Sequence, residues 1–274
     1  MIQQSYILNV KPKDALIEFL ELCQSMENIN VERVYKTAMA TIAYLRGNKE
    51  QRQYLQLGQE LEEQWYKSLA NDQPDWSVYG TDYYLGELWA CWIIYSRTYL
   101  RNILIPRSLP PDGIVADLGQ IQTIIDLGCG FGYTTAALRE IFPNAEIIAT
   151  NLDGIIQTDL AKKMGRRYNF HVVSGIEKIE LQADLIFASE YFEHIYRPLD
   201  HLREIINILN PQAFLIASAF NARAIGHFQH YDIDGKRLGG KSTSRLFNAE
   251  LRRLDYKKIK TRLWNNRPSY WKRI

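Results

Sequence analysis

Glycines stand at every second position in the run Ile124-Ile125-Asp126-Leu127-Gly128-Cys129-Gly130-Phe131-Gly132, directly after an apolar, β-branched stretch that ends in a carboxylate. A strand breaking into such a turn exposes bare main chain. Without Cβ atoms its N–H groups come within contact distance of a ligand, and positive φ costs little. The chemistry this suits is the holding of a nucleotide-like cofactor. Further on, Ser189-Glu190-Tyr191-Phe192-Glu193-His194 sets two carboxylates and an imidazole close together. In a helical turn Glu190, Glu193 and His194 would share a face and suit a hard or borderline divalent ion. Two more imidazoles follow in Gly226-His227-Phe228-Gln229-His230-Tyr231-Asp232. His227 and His230, with His194, are the groups available to orient or deprotonate an acceptor; His171 and His201 stand at less suggestive places.

The elements that must position these groups alternate regularly. The strand at 124–127 is followed by a helix over 134–142, stopped by Pro143-Asn144, and by an apolar strand over 146–150. Strands are expected at 170–174, 183–189 and 213–219, and a helix at 198–209, where Leu199, Leu202, Ile205, Ile206 and Leu209 recur at helical spacing. Strands alternating with helices argue for an α/β, doubly wound parallel sheet. Gly130 and Gly132 are two apart, whereas a dinucleotide fingerprint spaces its last glycines by three, which disfavours NAD. After the fifth strand, 220–240 reads as a loop at the carboxyl edge of the sheet and a candidate acceptor wall. A helix over 242–254 and two last strands, 256–264 and 268–274, hinged at Asn265-Asn266, complete the reading.

With its D-x-G-x-G-x-G turn and S-E-x-x-E-H segment, residues 112–219 resemble the S-adenosylmethionine-dependent methyltransferases of the Rossmann-like type. The resemblance implies a mostly parallel seven-stranded sheet with a final hairpin. It also implies a cofactor site formed by Asp126, Gly128, Gly130, Gly132, Asn151, Leu152, Gly175, Ile176, Ser189 and Glu190. Asn151 stands where the family has an acid for the ribose, with Asp153 two residues on. An amide oxygen accepts a hydroxyl proton less strongly than a carboxylate; the other reading is that Asn151 or Asp153 caps the next helix. Ubiquinone-pathway O-methyltransferases and small-RNA 3′-end methyltransferases are similar around Glu190, Glu193 and His194, which implies a divalent metal there, with His227 or His230 completing it. Against that, many methyltransferases carry the same Glu-His pair with the acid facing the cofactor and the histidine merely packed. Neither an N-P-P-Y turn nor a Pro-Cys pair occurs, so DNA base methylation is not expected.

Residues 1–111 have a different character, poor in glycine and rich in aromatics, with helices expected at 13–26, 31–45, 50–70 and 85–105. The break from Pro106 to Gly113 divides this region from a cofactor-binding domain over 112–274. The first part resembles the helical caps that methyltransferases place over the open end of the sheet. Of its residues, Tyr79, Tyr83 and Tyr84 are assigned to the acceptor pocket, and Trp89, Trp92, Ile93 and Tyr99 to the core.

Lys plus Arg number 33 and Asp plus Glu 31, a formal net charge of +2 that calls for no polyanionic partner. A basic run near the end, Lys257 to Arg273, keeps an RNA acceptor as the alternative. Three widely spaced cysteines argue against a disulfide framework, and no long uncharged apolar run or secretory core is present, so a cytoplasmic location is expected. The expected function is methyl transfer from S-adenosylmethionine to an O or N atom of a small molecule or peptide in specialised metabolism. The alternatives are a metal-dependent RNA methyltransferase and a non-catalytic cofactor-binding scaffold.

Overall fold

Parallel strands buried on both faces read as unbroken apolar runs, and the runs in this chain assemble as one sheet. The computed structural model describes residues 7–48, 56–71, 73–105, 108–109, 112–263 and 267–274. Strands β1 (Thr123–Leu127), β2 (Glu146–Thr150), β3 (His171–Val173), β4 (Leu185–Ser189) and β5 (Ala213–Ala217) pair in parallel. Strands β6 (His230–Ile233) and β7 (Lys236–Gly239) form a separate hairpin. Strands β8 (Tyr256–Ile259) and β9 (Ser269–Arg273) then extend the main sheet to seven strands in the order β3-β2-β1-β4-β5-β9-β8, with β9 antiparallel to both neighbours. The chain leaves β1 first toward β2 and β3, then returns to β4 on the other side of β1. A crevice therefore opens at the carboxyl ends of β1 and β4, where ligands of open α/β sheets bind.

Alternate residues of each strand face opposite layers. On β4, Leu185 and Phe187 enter one buried cluster and Ile186 and Ala188 the other. The first cluster holds the helices α1 (Pro12–Gln24), α2 (Val31–Leu45), α4 (Asp82–Cys91) and α5 (Arg97–Ile103) against the sheet, together with α7 (Tyr133–Ile141) and α8 (Ile156–Tyr168). The second takes α9 (Pro198–Leu209), α10 (Gly240–Arg253), the β6-β7 hairpin and, from α3 (Gln56–Ala70), Leu61 and Trp65. A short helix α6 (Ile114–Leu118) precedes β1. Among the described residues no helix is long and apolar enough to cross a membrane.

Local chemistry sets the ends. Helix α9 starts at Pro198, whose missing N–H costs nothing in a first turn, and stops at Asn210, which adopts left-handed φ of 45°. Helix α4 begins before the expected residue 85 because Thr81 Oγ1 accepts the N–H of Tyr84 at 3.2 Å. Between α4 and α5 a π-helical turn, Trp92–Ser96, takes up an extra residue. Sequence periodicity expected one straight helix there. The stretch 220–240, expected to be a loop, instead carries the β6-β7 hairpin: Asp234-Gly235 turns at positive φ of 50° and 77°, the dipeptide a tight hairpin favours. The expected helix start at 50–55, Pro106, Trp264 and the hinge Asn265-Asn266 lie outside the described residues.

Arg97 ties the start of the chain to this frame. Its buried guanidinium donates to Leu8 O at 3.1 and 2.8 Å and also to Val10 O, while Glu140 accepts the N–H of Leu8 at 3.1 Å. A charged donor on buried carbonyls contributes more than a neutral one. Arg97→Met is expected to lower unfolding stability by about 3 kcal/mol and to open the first ten or so residues to proteolysis. Unchanged melting and cleavage patterns would show that Arg97 does not anchor this segment.

Candidate active site

The turn after β1 is built from hydroxyls as much as from glycines. Asp126, 1% exposed, accepts from Thr134 Oγ1 at 2.7 Å and Thr135 Oγ1 at 2.6 Å, which fixes the start of α7 against the end of β1. Burial pushes its carboxyl up to about 6, and the two hydroxyls restrain that rise. From the other side, Thr150 at the end of β2 accepts the N–H of Gly128 on its hydroxyl (3.2 Å) and that of Cys129 on its carbonyl (3.0 Å). Asn151 Nδ2 donates to Gly130 O at 2.6 Å, and its Oδ1 accepts the N–H of Leu152 at 3.0 Å. Asn151 therefore braces the turn and caps no helix, and Asp153 accepts only from its neighbour Gly154.

Gly128 and Gly130 hold φ of 68° and 57°. A Cβ on Gly128 would come 2.5 Å from the Tyr191 ring, and one on Gly130 would lie 3.1 Å from Leu88. Both glycines line a cavity of about 1080 Å³ over the carboxyl ends of the strands. Asn151, Leu152, Gly175, Ile176, Ser189 and Glu190 stand on the same wall. Two expected positions do not. Asp126 is turned inward to its threonines, and Gly132 faces α8, where a Cβ would lie 2.9 Å from Phe170. Their place is in the architecture of the turn.

Helices α4 and α5 form the facing wall, with Tyr84, Glu87, Leu88, Cys91, Tyr95, Ser96 and Tyr99 along one side. The π-turn permits this: the extra residue rotates α5 so that Ser96 Oγ lies 3.3 Å from Ser189 Oγ and Tyr99 Oη donates to Glu190 Oε1 at 3.4 Å. Tyr79, Tyr83 and Tyr84 all line the cavity. Trp89 and Ile93 are core, whereas Trp92 and Tyr99, expected to be core, are buried and also meet the cavity.

The acid-histidine segment does not gather as a metal site. Glu190 sits at φ 52° and the turn Phe192–His194 is 3-10; the two carboxyls stay within hydrogen-bonding reach of each other, and the imidazole turns away from them. Glu193, fully buried, accepts the N–H of Ala219 at 2.8 Å. His194 Nδ1 instead shares a hydrogen bond of 2.9 Å with Tyr79 Oη, and its ring packs edge-on to His227, ring centres 4.6 Å apart. Among the described residues no three His, Cys, Asp or Glu side chains are disposed to hold a metal ion. Burial, then the adjacent His227, hold His194 well below the usual imidazole range. His227 lines the cavity and donates from Nδ1 to Ala222 O at 3.0 Å, which leaves Nε2 as its basic nitrogen. His230 opens β6 on the exposed surface, away from the cavity, because the hairpin carries it outward. The basic C-terminal side chains are partly engaged: Lys272 pairs with Asp117 at 3.1 Å, Arg253 with Glu250 at 2.5 Å, and Arg252 and Lys258 lie over the Trp271 ring.

Burial and the neighbouring Glu193 push the Glu190 carboxyl well up. With Glu190 protonated, the otherwise unpartnered Glu193 Oε2 has a donor. A carboxyl whose folded value exceeds its unfolded one holds its proton more tightly when folded, so stability falls as pH climbs from the ordinary carboxyl range through the raised value. Glu190→Gln keeps a donor toward Glu193 and cannot ionise. Its melting temperature is expected to gain on wild type between about pH 5 and about pH 8; curves that stay parallel would place no shared proton here.

The description "Methyltransferase domain" applies to the family model that matches residues 95–261, more than half of the chain. Curated relatives include a malonyl-[acyl-carrier protein] O-methyltransferase of Anoxybacillus flavithermus, 28% identical over 104 residues, 37% of this chain and 40% of that protein. The protein of the same name from Priestia megaterium is 35% identical over 101 residues, 35% of this chain and 36% of the other. The chain thus spans half or less of the length of the curated relatives it matches. Among solved structures, the mitomycin 7-O-methyltransferase MmcR aligns with 98% of this chain and 74% of its own at 12% identity and a TM-score of 0.48. On the family match, which spans more than half of its length, the chain belongs to the methyltransferase domain family.

Proposed function

We propose that this protein transfers a methyl group from S-adenosylmethionine to an oxygen atom of a small acceptor. The observation that carries the reading is a cavity shared by two kinds of wall. One wall is the glycine turn with the strand ends, the other is the aromatic helical wall, and Tyr79, His194 and His227 stand on it. Its volume of about 1080 Å³ reaches the top of the range for drug-sized ligands, about 300–1,000 Å³, which leaves space beside a nucleoside for a second molecule. In this reading residues 1–111 are the acceptor cap and 112–274 the cofactor domain. Oxygen as the accepting atom is supported by the curated relatives, which are named O-methyltransferases.

The cofactor wall suits S-adenosylmethionine. Gly128 and Gly130 leave main chain bare, Asn151 Oδ1 keeps a lone pair for a hydroxyl, and Leu152 and Ile176 offer apolar flanks for a flat base. When bound, that cofactor supplies a methyl group on a sulfonium. The chain's own contribution is alignment in a space that Tyr79, Tyr84, Trp92 and Tyr99 line with aromatic surface. For a hydroxyl acceptor, His227 Nε2 takes the proton. Neutral His194, held by Tyr79 and edge-on to His227, fixes the imidazole's position. Gly226 permits this arrangement, since a Cβ there would run into Tyr79 Oη and lie 2.7 Å from His194 Nδ1.

Calorimetry with S-adenosylhomocysteine tests the cofactor half: wild type binds, and Gly130→Arg, which fills the cradle, does not. Folded wild-type protein that ignored the ligand would sink the reading. For the acceptor half, a screen of phenols and alcohols supplies the substrate. His227→Ala is expected to lower kcat about 100-fold with nucleoside affinity intact, and His230→Ala to match wild type. Equal loss in both variants would remove His227 from the role of base. Gly226→Ala is expected to bind the nucleoside normally and to turn over at least about tenfold more slowly, because it dislodges His194 from Tyr79.

A further inference from the structure

Glu87 is a carboxylate in an unusual place. It projects from the middle of α4 into the cavity, one helical turn after Tyr83 and Tyr84 and one turn before Cys91, and no hydrogen bond or ion pair engages it among the described residues. Burial, and then the like charge of Glu62, push its carboxyl up to about 7. Glu62, also on the cavity wall, is already paired with Arg223, whose guanidinium lies over the Tyr66 ring at 4.7 Å. Arg267, the other arginine on the wall, stands at the far end beside Tyr99 and Glu190. The charge at Glu87 is therefore unmatched within its own part of the cavity.

The surroundings are aromatic. Trp76 stacks on Tyr79 with ring centres 6.0 Å apart and planes 19° from parallel, and Tyr79 meets Tyr84 edge-on at 4.9 Å. All three rings line the same cavity as Glu87, and Tyr84, one helical turn before it, is near enough for the Glu87 charge to act on its hydroxyl. An unpaired carboxylate within protein costs stability that packing does not return, and aromatic faces next to it attract cations through the ring quadrupole. Ionised carboxylate and aromatic faces together match one ligand chemistry, a positively charged nitrogen on an apolar stem.

We propose that Glu87, with Trp76, Tyr79 and Tyr84, is a recognition site for an alkylammonium group of a bound ligand. The inference rests on the cavity being the methyltransferase site proposed above and deepens it. The ammonium belongs either to the acceptor, which is then a hydroxylated molecule bearing a basic amine, or to the amino-acid end of the cofactor.

Calorimetry on wild type and Glu87→Gln separates these sources. The nucleoside probes are S-adenosylhomocysteine, which has an α-ammonium, and 5′-methylthioadenosine, which lacks it. The acceptor probes are 2-phenylethylamine and its isostere 2-phenylethanol, titrated with and without S-adenosylhomocysteine. If the acceptor carries the group, wild type prefers the amine to the alcohol, and Glu87→Gln removes that preference with a loss of about thirtyfold in amine affinity and unchanged nucleoside binding. If the cofactor carries it, Glu87→Gln weakens S-adenosylhomocysteine by a similar factor and leaves 5′-methylthioadenosine untouched. The amine-to-alcohol comparison in wild type needs no variant, so a misfolded substitution does not leave the question open. Wild type that shows no amine preference, together with a folded Glu87→Gln that binds every probe as wild type does, would overturn the site. Failure of both nucleosides to bind wild type would overturn the cofactor reading instead, while the amine comparison without nucleoside would still decide for or against Glu87.

Discussion

The glycine turn after β1 is gripped from two sides, and the cavity depends on that grip. Asp126 holds the first turn of α7 through two threonine hydroxyls, while Thr150 and Asn151 hold Gly128, Cys129 and the carbonyl of Gly130 from the end of β2. A glycine-rich segment is entropically expensive to order, and alone it would sample many conformations. Here each main-chain group that faces the sheet has a fixed partner, so the groups facing the cavity are presented in one arrangement. The arrangement also explains why the strand-end acid is sealed: its negative charge serves the turn from beneath.

Much of this was legible before any coordinates. The strand and helix alternation and the bounds of β2 and α9 follow from apolar runs, proline and asparagine stops, and periodicity, and the final hairpin is what the family resemblance implied. Gly128, Gly130, Asn151, Leu152, Gly175, Ile176, Ser189 and Glu190 share one wall because they follow strand ends, and strand ends are readable. The misses have physical reasons as well. Local spacing allowed Glu190, Glu193 and His194 to converge, but with a positive φ at Glu190 and a 3-10 turn the two carboxyls meet each other while His194 turns to Tyr79. The Asp-Gly pair at 234–235 did announce a hairpin, and reading the surrounding stretch as loop placed His230 at the site when β6 carries it to the surface.

The facing wall was the least readable part. Ser96 and Tyr99 are ordinary residues of an apolar helix by pattern, and only the extra residue in the π-turn brings them to Ser189 and Glu190. Glu87 is likewise unremarked in sequence, one acid among 31 Asp and Glu residues. Its environment comes partly from the fold: Tyr83 and Tyr84 stand one helical turn away, but Trp76 and Tyr79 share its cavity through a separate turn, which helical spacing does not report. Sequence reports the groups a strand end offers; tertiary packing decides what stands opposite them.

One hydrogen bond joins the two halves of the cavity. Gln157, buried at the beginning of α8, donates from Nε2 to the carbonyl of Tyr79. Helix α8 follows directly on Asn151 and Leu152, and Tyr79 carries both the aromatic wall and the hydroxyl that holds His194. The two walls of the cavity are thus mechanically one part. A change that widened the aromatic side by shifting Tyr79 would tug on the wall of Asn151 and Leu152 as well, so neither wall can be reshaped alone.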